Sequence, residues 1–347
     1  MAEPNRDRWY KQEGSSDFSP HTQSIADALI QGDMSLIESL LNKTNEELID
    51  LRGFPFSAVL QTEEDKRTRL GKYNQQIHKE PLILTDLSFE RYDFSGALFG
   101  ETTWIDCRFS HCIFSNLRFL CSRFVGCKFH RTNFIDCQND AIFLDLGRDK
   151  RCEFDECRFI RGEFVITVLY YPSFSKCFFK LDMNLIDFQG SQFSDCTFEG
   201  RLNGVTFRGR KDPSRSPVFR DGKEVPENTM MNVDFTKSKL ELVHFRDSID
   251  LTNCLFPDQE DLIVIKDAKR ILKKAIEIID REWEGEDRRL AKASIWRILE
   301  KLEKKDQPIE VMSISSLHGI QNELEHRKLE YPEEKIKILL RSLMPEN

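Results

Sequence analysis

Apolar residues in the middle of this chain recur at every fifth position. From Phe89 the series runs Phe89, Phe94, Phe99, Trp104, Phe109, Phe114, Phe119, Phe124, Phe129, Phe134. It skips Asn139, takes Leu144, skips Asp149, and resumes as Phe154, Phe159, Phe164, Leu169, Phe174 and Phe179. Fourteen of these nineteen positions are Phe, so the period belongs to a core and not to composition. After Phe179 the frame slips by one residue, giving Met183, Phe188, Phe193 and Phe198, and a further slip gives Phe207. It returns as Phe235, Leu240 and Phe245, then Leu251 and Phe256. Such a period predicts short extended segments joined by tight turns and stacked coil on coil, each coil burying its rings only against its neighbours.

The position two before each centre carries a second signal. It holds Cys107, Cys112, Cys127, Cys137, Cys152, Cys157, Cys177, Cys196 and Cys254, and elsewhere mostly small or β-branched residues such as Ala97, Thr102, Ser122, Thr132, Ser191 and Val205. Residues two apart in an extended segment face the same side, so one large and one small side chain point inward per unit. Arg, Asp, Ser, Asn and Gly fill the positions between, which suits solvent and turns. No C-x-x-C pair occurs, and cysteine spacings of five and ten suit a structural repeat better than a zinc knuckle.

Units such as Cys107-Arg-Phe-Ser-His, Cys127-Lys-Phe-His-Arg and Cys196-Thr-Phe-Glu-Gly resemble the pentapeptide-repeat family. The resemblance covers roughly half the chain. It implies a right-handed quadrilateral β-helix, mainly β, with four pentapeptides per coil and one on each face. Residues 82–256, less a loop at 208–229, leave room for about seven or eight coils, a rod roughly 35 Å long at the usual strand spacing. Some members of the family bind type II topoisomerases by imitating DNA in shape and acidic charge, which makes a topoisomerase-binding resistance protein the alternative to a general scaffold. Against that, residues 81–256 carry 23 Lys+Arg and 25 Asp+Glu, a net of only -2.

Three regions are expected. Residues 1–80 form a helical and irregular N-terminal cap, in which Ile25, Leu29, Ile37, Leu40 and Leu41 fit two short amphipathic helices split near Gly32. Residues 81–256 are the repeat region. Residues 257–347, where Lys, Glu, Ile and Leu replace Phe, Cys and Ser, form an α-helical domain. Its first predicted stripe is Leu262, Ile265, Leu272, Ile276, Ile279 and Trp283, ended by Gly285; its second is Leu290, Ala293, Trp296, Leu299 and Leu302. A third helical pattern runs to Leu324 and a last helix from Glu333 to Leu343. Capping of the rod, homodimerisation and partner binding are all open to this region.

Net charge is -8, with 51 Lys+Arg against 59 Asp+Glu, which argues against direct nucleic-acid binding. No run of 18 apolar residues exists, so no membrane span is expected, and the polar first residues place the protein in the cytoplasm. The seven histidines are scattered without metal-ligand or triad spacing, no phosphate loop occurs, and inward cysteines make poor nucleophiles. No enzyme activity, metal or cofactor is implied.

What remains is surface. With 20 residues per coil, Arg108, Lys128 and Arg148 form one column and Arg118 and Arg158 another. Stacked like charges are relieved by pairing with Asp106, Asp136 or Glu156, or by an acidic partner. The outward set Val165, Ile166, Val168, Tyr170 and Tyr171 is apolar where outward positions are mostly polar, as a protein interface requires. The interruption at 208–229 opens with Arg208, Arg210, Lys211, Arg215 and Arg220 and reads as a projecting basic loop. The expectation is a non-enzymatic interaction scaffold with a protein partner.

Overall fold

Each five-residue unit contributes a three-residue strand with its centre buried, as in Arg108–Ser110, Lys128–His130 and Ser173–Ser175. The computed structural model describes residues 6–11, 18–56, 82–99, 102–117, 119, 122–139, 143–144, 151–165, 168–170, 172–209, 228–246, 249–303, 309–313 and 332–344. The strands stack in parallel, coil on coil, into the sheets of a β-helix. One face carries Leu84, Trp104, Phe124 and Leu144 in register, and a second run of the same kind carries Leu169, Phe188, Phe207 and Phe245. The second face aligns Phe89, Phe109, Phe129, Phe154, Phe174 and Phe193. The third aligns Phe114, Phe134, Phe159, Phe179 and Phe198. Long strands then continue onto a fourth face through Phe164, Met183, Leu202 and Leu240.

Aromatic rings fill the interior in files. On the third face, ring centroids from Phe94 through Phe114, Phe134, Phe159, Phe179, Phe198 and Phe235 to Phe256 are separated by 4.9, 5.1, 4.8, 4.8, 4.6, 4.9 and 5.7 Å, all stacked. Rings of adjoining faces meet edge to face, as in Phe109 with Phe114 at 5.5 Å. Offset stacking along the file and T-shaped contact across it are the arrangements that ring quadrupoles favour.

The small inward position has a specific task. Cys112 donates its S–H toward the carbonyl of Phe89, Cys127 toward Trp104, Cys137 toward Phe114 and Cys177 toward Phe154. Thr132 does the same with Phe109 and Ser122 with Phe99. A compact donor thus reaches a carbonyl of the coil beneath while leaving room for the neighbouring ring. The nine described cysteines are free thiols, eight of them buried.

Two residues after most of these centres the backbone turns through the left-handed region. Asp86, Arg91, Asp106, His111, Asn116, Arg131, Asp136, Glu156, Lys176 and Asp195 all have φ between 47° and 60°. These corners lie outside the preferred backbone of an L-residue, and polar residues that bond locally tolerate them best.

The irregularities in the five-residue count have structural causes. Phe129 aligns with Phe154 and Phe134 with Phe159, so one coil holds 25 residues and not 20. The expected rule that residues 20 apart share a face fails across this coil. The slip after Phe179 arises because the strand Phe178–Asn184 runs from the third face onto the fourth without a left-handed corner, which brings centres Phe179 and Met183 four apart. Residues 210–227 lie outside the described residues; across them the Asn228 N–H donates to the Gly209 carbonyl at 3.0 Å.

Segments outside the repeats pack against both ends of the rod. Helices α1 (Pro20–Gln31) and α2 (Met34–Leu40) meet at Gly32, whose φ of 74° ends α1. Strand Ile49–Asp50 then pairs in parallel with Tyr92–Asp93, and Phe56 packs its ring on Phe99 at 4.9 Å and Trp104 at 5.5 Å. Asp50 pins this segment, accepting from Arg8 at 2.7 Å and from Arg52 at 2.9 Å. At the other end an antiparallel ribbon joins Leu262–Lys266 to Ile309–Ser313. Strand alternation gives it two faces: Leu262, Ile309 and Val311 join the core of the rod, whereas Ile263 and Ile265 join the core of the helices.

That ribbon corrects the helical reading of Leu262 and Ile265. Helix α3 spans Ala268–Glu282, and Gly285 opens α4 (Gly285–Glu303) instead of closing α3. Helix α4 buries Leu290, Leu299 and Leu302 as predicted, but Ala291 and Ile295 complete its apolar face in place of Ala293 and Trp296, which are exposed. Helix α5, Glu333–Leu343, buries Ile336 and Leu340 in the same core. The third helical pattern, through Leu324, lies outside the described residues.

Candidate interaction surfaces

The second face is polar at its outward positions: Ser88 and Glu90, Arg108 and Ser110, Lys128 and His130, Glu153 and Asp155, Ser173 and Ser175, Gln192 and Ser194. The 25-residue coil sets its charges. Lys128 stands beside Glu153, not Arg148, and its Nζ lies 2.9 Å from that carboxylate. The column Arg108, Lys128, Arg148 is therefore broken after two members, and Arg148 itself lies outside the described residues. His111 is exposed and His130 half-buried, with ring centroids 5.7 Å apart, and their Nδ1 atoms bond Glu90 and Asp155 at 3.0 Å each.

The adjoining corner alternates in sign. Arg131 meets Glu156 at 2.7 Å, and Lys176 approaches the same carboxylate at 3.7 Å. The hydrogen bond from Arg131 holds Glu156 below the usual carboxylate range. One corner on, Arg161 pairs with Asp136 at 2.9 Å. Asp136 and Glu156 do take part in charge pairing, but with Arg161 and Arg131.

Between the third and fourth faces the lost corner leaves a groove of about 610 Å³, lined by Asp136, Arg161, Lys180, Asp182, Asn184 and Glu199. Its charges are matched, Lys180 to Glu199 at 2.7 Å and Arg161 to Asp136. Gly162 sits in its floor, where a Cβ would come within 2.6 Å of the Cys137 carbonyl.

The third face differs from the second. Its outward positions hold Ile113, Asn133 and Ile135, then Arg158 and Ile160, then Phe178 and Lys180. Ile113, Ile135, Ile160 and Phe178 are half-buried, and Ile135 and Ile160 are direct cross-strand neighbours. Arg158 is exposed, its guanidinium 5.7 Å above the Phe178 ring. Its register partners are Asn133 and Phe178, so no arginine adjoins it along the file, and Arg118 lies outside the described residues.

Other predicted positions fall as follows. Arg208 ends the strand Thr206–Arg208 and grips Asp187, with Nη2 3.0 Å from the carboxylate, so it belongs to the rod and not to a free loop. Arg210, Lys211, Arg215 and Arg220 lie outside the described residues. Val165 ends the strand Arg158–Val165 and Tyr170 the strand Val168–Tyr170, but the side chains of Val165, Val168 and Tyr170, and all of Ile166 and Tyr171, lie outside them too. The apolar group Ile113, Ile135, Ile160 and Phe178 was missed by the sequence reading. Its signal was present: these are the apolar residues directly flanking centres of one file.

Residues 93–137 match the family model for pentapeptide repeats in eight copies. The chain carries pentapeptide repeats. Among solved structures, it is similar to HetL, a pentapeptide-repeat protein involved in heterocyst differentiation regulation from the cyanobacterium Nostoc sp. strain PCC 7120. That likeness has 13% identity, covers 57% of this chain and 91% of the other, and has a TM-score of 0.21. It is also similar to QnrB1, a plasmid-mediated fluoroquinolone resistance protein. The full-length form gives 18% identity, 48% and 92% coverage and a TM-score of 0.18; a trypsin-treated variant gives 12%, 47% and 80%, and 0.20. A comparison with curated proteins finds no match. The pentapeptide-repeat fold itself stands on the ladders and ring files above. No helix among the described residues is long and apolar enough to cross a membrane.

Proposed function

We propose that this pentapeptide-repeat protein is a non-enzymatic scaffold that binds a protein partner through the faces of its β-helix. The observation that carries the reading is the pair of contrasting faces built on one backbone: outward side chains stand in fixed files, all polar on the second face and partly apolar on the third. A rigid ladder holds such side chains at strand spacing without ordering cost on binding. On this reading residues 1–80 and 257–347 close the two ends of the repeat region.

The titrating groups support a non-catalytic role. Burial pushes the thiols of Cys112, Cys137 and Cys254 up to about 12, so they stay protonated and unreactive. Burial lowers Arg151 only to about 10, which leaves it charged. The alternative of a DNA-imitating topoisomerase ligand draws no support from these surfaces, because acidic groups are interleaved with Lys and Arg and paired to them.

Affinity purification of the full-length protein from its cell of origin tests the reading. A protein retained in near-stoichiometric amount is the expected result. Recovery of a protein free of any such companion, across growth conditions, refutes it.

A further inference from the structure

Both faces stack their strands in parallel register; strands of the third face such as Arg158–Val165 and Phe178–Asn184 run on past it, but that extra length lies beyond the outward positions compared, so it does not explain why one face is polar throughout and the other carries Ile113, Ile135, Ile160 and Phe178. Serine, which fills outward positions of the second face as Ser88, Ser110, Ser173, Ser175 and Ser194, serves the backbone there without loss of the ladder.

The charges divide in the same way. On the second face Lys128 meets Glu153, and His130 meets Asp155. At the corners Arg131 and Lys176 share Glu156, and Arg161 holds Asp136. Arg158, in the middle of the apolar group, has no carboxylate among the described residues. Its register neighbours are Asn133 and Phe178, Thr197 follows in the same file, and the two nearest acidic corners are already engaged. Among the described residues it meets the Phe178 ring, which holds the guanidinium against the apolar surface, and none of them supplies an acceptor to its N–H groups.

We infer that this part of the third face is the docking surface of the scaffold, and that its occupant is a protein segment presenting a carboxylate flanked by apolar side chains. The carboxylate takes the Arg158 fork, which recognises that shape through two parallel hydrogen bonds, and the flanking side chains cover Ile135, Ile160 and Phe178. An apolar centre with one arginine anchor is the composition in which binding energy concentrates. The inference rests on the scaffold reading and gives it an address.

The test uses the full-length protein and a phage-displayed peptide library. Selected peptides are synthesised and their binding measured by fluorescence anisotropy against the natural chain, Arg158→Glu, Ile160→Asp, and Arg123→Glu as a control on the first face. Arg158 is exposed, so Arg158→Glu keeps the fold, which circular dichroism checks. Enriched peptides are expected to carry Asp or Glu beside Leu, Ile or Phe, to lose at least about 10-fold in affinity to Arg158→Glu, and to keep it with Arg123→Glu. A peptide whose acid is replaced by Lys regains affinity for Arg158→Glu. Peptides that bind the natural chain and Arg158→Glu equally, or that carry no carboxylate, overturn the inference. A natural partner that still co-purifies with the Arg158→Glu chain also overturns it while leaving the scaffold reading intact; only the lack of any partner removes that reading.

Discussion

Phe109 is the sharpest probe of how this core is held. Its side chain is fully buried. Its ring lies between Phe89 at 5.2 Å and Phe129 at 4.9 Å, both nearly parallel to it, and meets Phe94, Trp104, Phe114 and Phe124 edge-on at 5.5–6.3 Å. Phe109→Ala removes the transfer energy of a ring and leaves a cavity that parallel ladders above and below cannot collapse, a loss of about 3–5 kcal/mol. Each stacked neighbour also gives up part of the ~0.5–1.5 kcal/mol that such pairs add. Phe134 supplies an internal comparison, because it keeps the same stacking, 5.1 Å to Phe114 and 4.8 Å to Phe159, yet is only partly buried. Phe134→Ala should therefore cost measurably less than Phe109→Ala. Urea titration followed by far-UV circular dichroism yields both midpoints, and Phe109→Leu, which refills most of the space, should recover part of the loss. If Phe109→Ala costs under about 1 kcal/mol, or no more than Phe134→Ala, the rings are not a rigid packed column and the reasoning fails.

Three further outcomes follow from named groups. Leu242 is 52% exposed with φ at 51°, so Leu242→Gly removes a strained backbone at little loss of packing and should raise stability by about 0.5–1 kcal/mol; an unchanged or lower urea midpoint counts against corner strain. Asp50 has its carboxyl held well below the usual range: burial works in the opposite sense, but hydrogen bonds from Arg52 and Arg8 outweigh it. Its contribution is thus complete above the unfolded value of 3.8 and is lost as pH falls below that, so the N-terminal segment should loosen in acid, read from Trp9 fluorescence, and Asp50→Asn should abolish that acid step. Cys254, the least buried of the described thiols, should label first with a disulfide reagent in the native protein and slowly, since burial holds it near 12, while the eight buried cysteines should label only in denaturant; mass spectrometry separates these, and prompt native labelling of Cys112 or Cys137 would contradict the packing.

The core was readable in the sequence because one ring per unit and one small residue two before it are demanded at every coil, and nothing else in the chain repeats so strictly. The sizes of coils were not readable. Asn139 and Asp149 interrupt the file without breaking the count of five, and sequence alone does not say whether such units complete a coil or lengthen it. The register of Phe129 with Phe154 decides that, and with it every surface neighbour downstream: Lys128 gains Glu153, and Arg158 moves from a supposed arginine column to a place between Asn133 and Phe178. The ribbon Leu262–Lys266 was misread for a related reason. Leu262 and Ile265 are three apart and suit a helix, yet Leu262-Ile-Val-Ile is also a β-branched run. The deciding contact is the distant Ile309–Ser313, which pairs with it across more than 40 residues.

The extra five residues also explain why opposite charges meet on a face where the 20-residue count stacks like ones. A regular coil places Lys128 under Arg148 by position, a like-charged pair at one strand spacing, and His130 under Lys150. The longer coil substitutes Glu153 and Asp155 at those two places. It thereby balances the second face and carries Arg158 onto the third, beside Ile135, Ile160 and Phe178, where its register partners are Asn133 and Phe178 and not a carboxylate. One insertion in the repeat count thus accounts for both the quiet face and the unmatched one, and links the coil geometry to the surface where a partner carboxylate would dock.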